Sequence, residues 1–256
     1  MKTGSKPPTN FLRQDGRSYD HIRRIRIRKH YVQFADGSVL IEMGRTKVLC
    51  AATIEESIPR WMREQPALKQ RGWVSAEYSM APYASSQRKA REPRGRADGR
   101  STEIQRLIGR SLRAVVNSEK LGPRTIWLDC DVLQADGGTR TAAITGAFVA
   151  LVLALRKLKR KKLITEIPIK HYLAAVSVGL FKEQPILDLN YDEDSQAEAD
   201  LNIVMTDDGR YVEVNGGGEA EPISQKQLEE LLALARRGIE QLIAAQKKAL
   251  APGNSC

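Results

Sequence analysis

The sequence predicts an α/β (α+β) fold, on three observations. Residues 126–155, IWLDCDVLQADGGTRTAAITGAFVALVLAL, read as a strand, a glycine turn and a long apolar helix. Short segments elsewhere alternate apolar and polar residues, the period of a pleated strand. Two further stretches, 102–118 and 224–243, carry apolar residues at helical spacing.

The 256 residues hold one large domain or two small ones, with ample length for a core. There are 41 Lys+Arg against 31 Asp+Glu, a net charge of +10 and an isoelectric point of about 9.6. That balance points to a polyanionic partner, nucleic acid before membrane. Cys50, Cys130 and Cys256 show no paired-ligand spacing, and a sparse, odd count suits reduced thiols. No apolar run opens the chain, so no secretory signal is expected and a cytoplasmic location is. The uncharged run between Arg140 and Arg156 is shorter than the roughly 20 residues of a membrane span. It reads as a buried helix.

Taken in order, residues 1–10 form a loose tail. Ile25 and Ile27 alternate with arginines, a strand with one basic face. Residues 38–42 and 46–53 make a hairpin through Met43-Gly44-Arg45, and the second strand is too apolar for a sheet edge. Residues 55–99 read as irregular, punctuated by Pro59, Pro66, Pro82 and Pro93. They end in a basic segment, residues 88–96, which is either a solvated loop or an arm that holds a nucleic-acid backbone. The next helix has capping-box spacing at Thr102 and Gln105, with Arg100 as a solvated charge before it. The cationic run 156–162 suits the negative pole of the central helix. Residues 173–180, 185–191 and 201–205 read as strands, and Ser224 with Gln227 caps a terminal helix.

Two places carry chemistry. The first is the turn at Gly138, Thr139 and Arg140, where a strand feeds a helix capped by Thr139 or Thr141. Unpaired N–H groups, the helix dipole and a forked guanidinium make an anion socket there, although an ordinary strand-to-helix turn has the same outline. The second is the acidic focus at residues 188–200. If its flanking strands pair as a hairpin, Asp194 ends one and Asp200 begins the other. Such carboxylates suit Mg²⁺, and a solvated acidic turn has the same composition. His21, His30 and His171 have no metal or triad spacing, and no Gly-x-Ser-x-Gly supports acyl transfer.

Read jointly, several blocks resemble the ribonuclease PH family across nearly the whole chain. They are RQDGR at 13–17, the residues at 36–44, GWVSAEYSMAP at 72–82, GRSTEIQRLIGRSLRAV at 99–115, DCDVLQADGGTRTAAITGA at 129–147 and PILDLNYDEDSQAEADLNIVMT at 185–206. The resemblance implies the ribonuclease PH fold: two related βα halves, like domain 2 of ribosomal protein S5. It implies a single compact domain over residues 1–256. Its approximate halves are 14–150, which binds phosphate, and 165–245, which holds the acidic hairpin and the C-terminal helix. The implied activity is phosphorolytic 3′–5′ trimming of tRNA precursors beyond CCA, a nucleotidyltransferase reaction that runs in reverse from nucleoside diphosphates. A role in rRNA processing and a homohexamer, a trimer of dimers, are implied as well. The implied phosphate ligands are Arg100, Gly138, Thr139 and Arg140, with inorganic phosphate as co-substrate. Asp194 and Asp200 become the catalytic and Mg²⁺-binding pair, with Asp188 and Asp192 nearby. Arg88, Lys89, Arg91, Arg94 and Arg96 fall in the RNA-contacting region. In the related polynucleotide phosphorylase a lysine follows the second aspartate by two positions; here Asn202 stands there. The turn at 216–219 departs slightly from the usual glycine-threonine-glycine-glutamate. The alternative is a non-catalytic RNA-binding ring subunit of the same fold.

Overall fold

A computed structural model of the chain describes residues 13–91, 98–219 and 221–253. The tail at 1–10, Arg94, Arg96 and residues 254–256 lie outside these. The first half contains β1 (Ile25–Lys29), β2 (Gly37–Met43), β3 (Thr46–Glu55), α1 (Arg60–Arg63), β4 (Trp73–Met80), α2 (Gly99–Val115), α3 (Ser118–Leu121), β5 (Thr125–Gln134) and α4 (Thr139–Arg160). Its five strands are ordered β1-β2-β3-β5-β4, with β4 parallel to β5 and the other pairs antiparallel. The expected β2–β3 hairpin is present, and β3 lies inside the sheet.

Two expectations change in this half. Residues 55–99 are not wholly irregular, because β4 runs through them. Val74, Ala76 and Tyr78 are buried, while Glu77 and Ser79 face out. The prolines flank this strand and do not interrupt it, so its ladder is intact. Helix α2 starts at Gly99, because the Asp98 carboxylate accepts the Ser101 N–H at 2.6 Å and so caps it. Thr102 is therefore already helical, and Arg100 belongs to the first turn.

The second half contains β6 (Leu173–Phe181), β7 (Gln184–Leu187), α5 (Tyr191–Asp194), β8 (Ala199–Thr206), β9 (Tyr211–Gly218) and α6 (Gln225–Leu250). Its antiparallel order is β7-β6-β8-β9. The acidic hairpin expected between residues 185–191 and 201–205 does not form. β7 and β8 lie on opposite sides of β6, and β7 folds back through Lys182 and Glu183, both at positive φ (52° and 60°). The chain then passes Asp188 into α5. There the Asn190 side chain accepts the Glu193 N–H, and Glu193 accepts the Asn190 N–H, both at 3.0 Å. This reciprocal cap winds 191–194 into a helical turn, so Asp194 ends a helix and not a strand.

Helix α4 joins the halves. It packs against β2, β3 and β5 of the first sheet and against β6 of the second. Its most apolar stretch is 89% buried, which makes it a core helix although its length and composition would also suit a membrane. Gly146 permits this, since a Cβ there would lie 2.7 Å from Ile41 Cγ2 and 2.8 Å from Cys50 Sγ. Every residue of β6 is buried, with α4 and α6 both packed on it, and the small residues Ala174, Ala175 and Gly179 leave room for them. Ser224 and Gln227 form the expected capping box of α6. Phe148 on α4 is completely buried. Phe148→Ala is expected to lower stability in urea unfolding by about 3–5 kcal/mol, from lost transfer energy and the cavity left behind.

Candidate active site

The chain leaves β5 and turns through Gly137 and Gly138, both in the left-handed region (φ 71° and 63°). A Cβ on Gly137 would stand 2.6 Å from the Leu189 carbonyl oxygen and 2.9 Å from the Tyr191 nitrogen. The turn is therefore pressed against the backbone that opens α5. Gly138 is the residue before α4, and neither threonine caps the helix as expected. Thr141 Oγ1 donates to the Gly138 carbonyl at 2.9 Å, and Thr139 Oγ1 accepts from the Tyr78 hydroxyl at 2.9 Å. The first intrahelical bond is Ala142 N–H to Gly138 O. The N–H groups of Thr139, Arg140 and Thr141 thus have no intrahelical acceptor, at the positive end of a 22-residue helix. Such a helix end suits an anion.

Two cations flank it. Arg140 is mostly buried, and its Nη1 lies 3.3 and 3.4 Å from the two carboxylate oxygens of Glu103 on α2. Arg100, one turn before Glu103, is exposed in the first turn of α2. Both guanidiniums act electrostatically on Tyr78, Asp194 and Asp200. The residues predicted for phosphate and the two predicted aspartates are therefore neighbours in space, although they come from α2, the α4 turn, α5 and β8.

Asp194 keeps solvent contact at the end of α5, and Asp200 is half-buried on β8. Both carboxyls are held above the ordinary aspartate range. Loss of water is the largest cause for each; repulsion from Asp200 adds to it at Asp194, and repulsion from Glu219 adds to it at Asp200. Arg100 and Arg140 pull in the other direction. Among the described residues, neither side chain accepts a hydrogen bond or an ion pair. Two hard oxygen donors crowded this way fit a divalent cation of the Mg²⁺ kind. Asp188 is different in kind: it is fully buried and bound by Arg23, whose charge holds it ionised against the cost of burial. Asn202, where the related enzyme has lysine, is buried within β8.

Arg88, Lys89 and Arg91 are exposed on the segment after β4, and Tyr83 beside them is 69% exposed. The base of this arm is tied to the end of β5 by Ala135 N–H to Ala84 O at 2.7 Å. That places it next to the Gly137–Gly138 turn. Sequence reasoning passed over Tyr78, Glu103 and Glu219. Glu103 was legible once α2 was begun at Gly99, since it lies one turn from Arg100; Tyr78 and Glu219 depend on sheet pairing. His171, given no metal spacing, does approach Asp207 and Asp208 at 3.6 and 3.7 Å. Lys247 and Arg210 already neutralise those carboxylates, and the Arg210 contact holds Asp208 down to about 2.

With this geometry in place, comparison with known proteins assigns the class. Domain 1 of the 3′ exoribonuclease family matches residues 21–157 and domain 2 matches residues 171–238. The chain belongs to this family. Ribonuclease PH of Bacillus cytotoxicus is 55% identical over 241 residues, covering 93% of this chain and 97% of that protein. Ribonuclease PH of Bacillus cereus is 56% identical with the same coverage. Among solved structures, rice (Oryza sativa) Rrp46 superposes with a TM-score of 0.75 at 18% identity, over 93% of this chain and 100% of that one. The Archaeoglobus fulgidus exosome with RNA bound to its active site does so at 0.75 and 23%, over 90% and 91%. At these identities the structural likeness establishes the fold, the ribonuclease PH fold expected from the sequence.

The raised carboxyls carry a cost in the resting protein. Folding is favoured while they are protonated, below the ordinary value of 3.8, and that contribution is lost as pH rises through their raised folded values. Without divalent cations, Asp194→Asn and Asp200→Asn are each expected to raise the thermal midpoint at pH 7. The gain should vanish toward about pH 3, where the wild-type groups are neutral as well. Thermal melts across that range check both parts.

Proposed function

We propose that the chain is a phosphorolytic 3′–5′ exoribonuclease that trims tRNA precursors beyond the CCA end, with rRNA ends as further substrates. The observation that carries this is the close packing of the glycine turn that opens α4 on the backbone leading to Asp194, within a chain of the 3′ exoribonuclease family.

An oxygen of inorganic phosphate attacks the phosphorus of the last phosphodiester. The bond to the preceding 3′ oxygen breaks, that oxygen takes a proton, and a nucleoside diphosphate leaves. The reverse course adds a nucleotide from a nucleoside diphosphate. Phosphate is itself the nucleophile, so the protein's work is to hold two anions at reacting distance against their repulsion. Arg100, Arg140 and the N–H groups at Gly138 and Thr139 hold the free phosphate. Arg88, Lys89, Arg91, Arg94 and Arg96 hold the RNA backbone. Asp194 and Asp200 would hold Mg²⁺, which when bound supplies positive charge at the leaving oxygen. A raised carboxyl at this pair is also suited to carry the proton that the 3′ oxygen takes. A homohexamer in the cytoplasm completes the proposal, supported by the chain's likeness to an exosome chain and by its reduced-cysteine composition.

The reading is tested by incubating the protein with 3′-extended tRNA with and without phosphate. Nucleoside diphosphates should form only with phosphate, and their absence would overturn it. Arg140→Ala is expected to lower phosphorolysis about 10²-fold or more with little change in RNA affinity; equal losses would count against its role. Neutralising the five basic residues of the arm should instead flatten the salt dependence of RNA binding, by a slope of about 0.7 per lost single-strand phosphate contact. An unchanged slope removes the arm from the RNA path.

A further inference from the structure

We infer that Arg23 is a positioning residue for phosphorolysis: its buried guanidinium clamps the phosphate turn to the loop that carries the carboxylates. The inference rests on the phosphorolytic reading above and goes beyond it to the device that sets the spacing between the two parts of the site.

Arg23 precedes β1 and lies far from both parts in sequence, yet its side chain is only 4% exposed. Nε and Nη2 donate to the two Asp188 oxygens at 3.0 and 2.7 Å, and the Arg23 backbone N–H donates to Oδ2 at 2.7 Å. The same fork reaches the turn. Nη1 donates to the Asp136 carbonyl, and Nη2 lies 3.4 Å from the Gly137 carbonyl. A Cβ on Gly138 would stand 2.9 Å from Nη2, so the glycine lets the guanidinium under the turn. Thr46 adds an uncharged tie: its hydroxyl donates to Gly137 O at 2.7 Å and accepts from Asp136 N–H at 3.0 Å.

Beyond Asp188 the loop is held by Arg13. Its Nε donates to Glu193 Oε1 at 2.6 Å, Nη2 pairs with Glu193 Oε2, and Nη1 and Nη2 donate to the carbonyls of Leu187 and Asp188 at 2.5 and 2.9 Å. Glu193 is the residue before Asp194. A continuous set of bonds thus runs from the phosphate turn through Arg23, Asp188 and Arg13 to the helix that presents Asp194.

Stability alone does not account for this arrangement. A buried ion pair contributes little net stability beside an apolar pair of the same shape. Nor does Arg23 hold phosphate by charge, because Asp188 neutralises it. What the fork sets is distance. The attacking oxygen and the phosphorus must sit about 3–3.5 Å apart and in line, and a displacement near 1 Å costs about 10²-fold.

Two variants test it. Arg23→Lys keeps the charge and loses the fork; Thr46→Val keeps the shape and loses the uncharged tie. Folding is checked by thermal melts, RNA affinity without phosphate, phosphate affinity of the free protein by calorimetry, and kcat and KM for phosphate by phosphorolysis. Arg23→Lys should remain folded with RNA affinity within about twofold, lose about tenfold or more in kcat, and bind phosphate more weakly. Thr46→Val should move the same quantities in the same direction by less. In an Arg140→Ala background, Arg23→Lys should still weaken phosphate binding, because the displaced turn carries N–H groups that hold phosphate without Arg140. Folded variants with wild-type kcat and phosphate affinity, or with RNA and phosphate affinity falling together, overturn the inference. If Arg23→Lys does not fold, Thr46→Val decides alone. A wild-type protein that makes no nucleoside diphosphate defeats the phosphorolytic reading, while calorimetry with inorganic phosphate still reads Arg23's effect on the turn.

Discussion

The site depends on where one buried helix begins. Helix α4 packs between two sheets and is buried from Thr141 to Leu155, and its N-terminus opens where the turn before it meets the second half. Water is excluded along most of its length, so the field of its aligned peptides is little screened inside the core and reaches the partly buried N-terminal end. The left-handed glycines before it turn β5 directly into that end, and they leave no side chain between the turn and the segment opening α5. Had Gly137 carried a Cβ, the turn and the carboxylate loop could not touch.

Around this helix end, charge is opposed to charge. Two guanidiniums gather at a place the helix already makes positive. Two aspartates are set beside them, both held above the ordinary range: partial loss of water acts on each, with Asp200 repelling Asp194 and Glu219 repelling Asp200. Neither set is internally satisfied. Among the described residues, Arg140 has only long contacts to Glu103, and the aspartates accept no bond. In the core the pattern reverses: Arg13 with Glu193, and Arg23 with Asp188, are closely matched in the same region of the chain. The matched pairs are scaffolding, and the unmatched groups are what a phosphate and a metal would complete.

Much of this was legible in the sequence. The alternation in β5, the double glycine and the apolar run of α4 identified the central unit, and the β2–β3 hairpin followed from its turn. Local chemistry alone left an anion socket and an ordinary strand-to-helix turn both open, and the family resemblance favoured the socket. Arg100 was not legible locally, because a helix begun at Thr102 leaves it in a loop, whereas the Asp98 cap brings it into the first turn. β4 was overlooked although Val74, Ala76 and Tyr78 alternate cleanly, because nearby prolines were read as breaking the whole stretch. The acidic hairpin failed for a different reason. Which strand a segment pairs with is decided by long-range packing, and β6 accepts β7 on one side and β8 on the other. Asp194 and Asp200 nevertheless lie together, since both neighbours of β6 bring their acidic ends to the same place.

The bond between Arg13 and Glu193 spans 180 residues. During translation, at about 5–20 residues per second, the phosphate turn can leave the ribosome well before the segment that Arg13 must grip exists. The early part of the chain is basic and suited to RNA, while the carboxylates come last. The grip on the loop that carries Asp194 is therefore made only once residue 193 has emerged, long after Arg13 and the glycine turn.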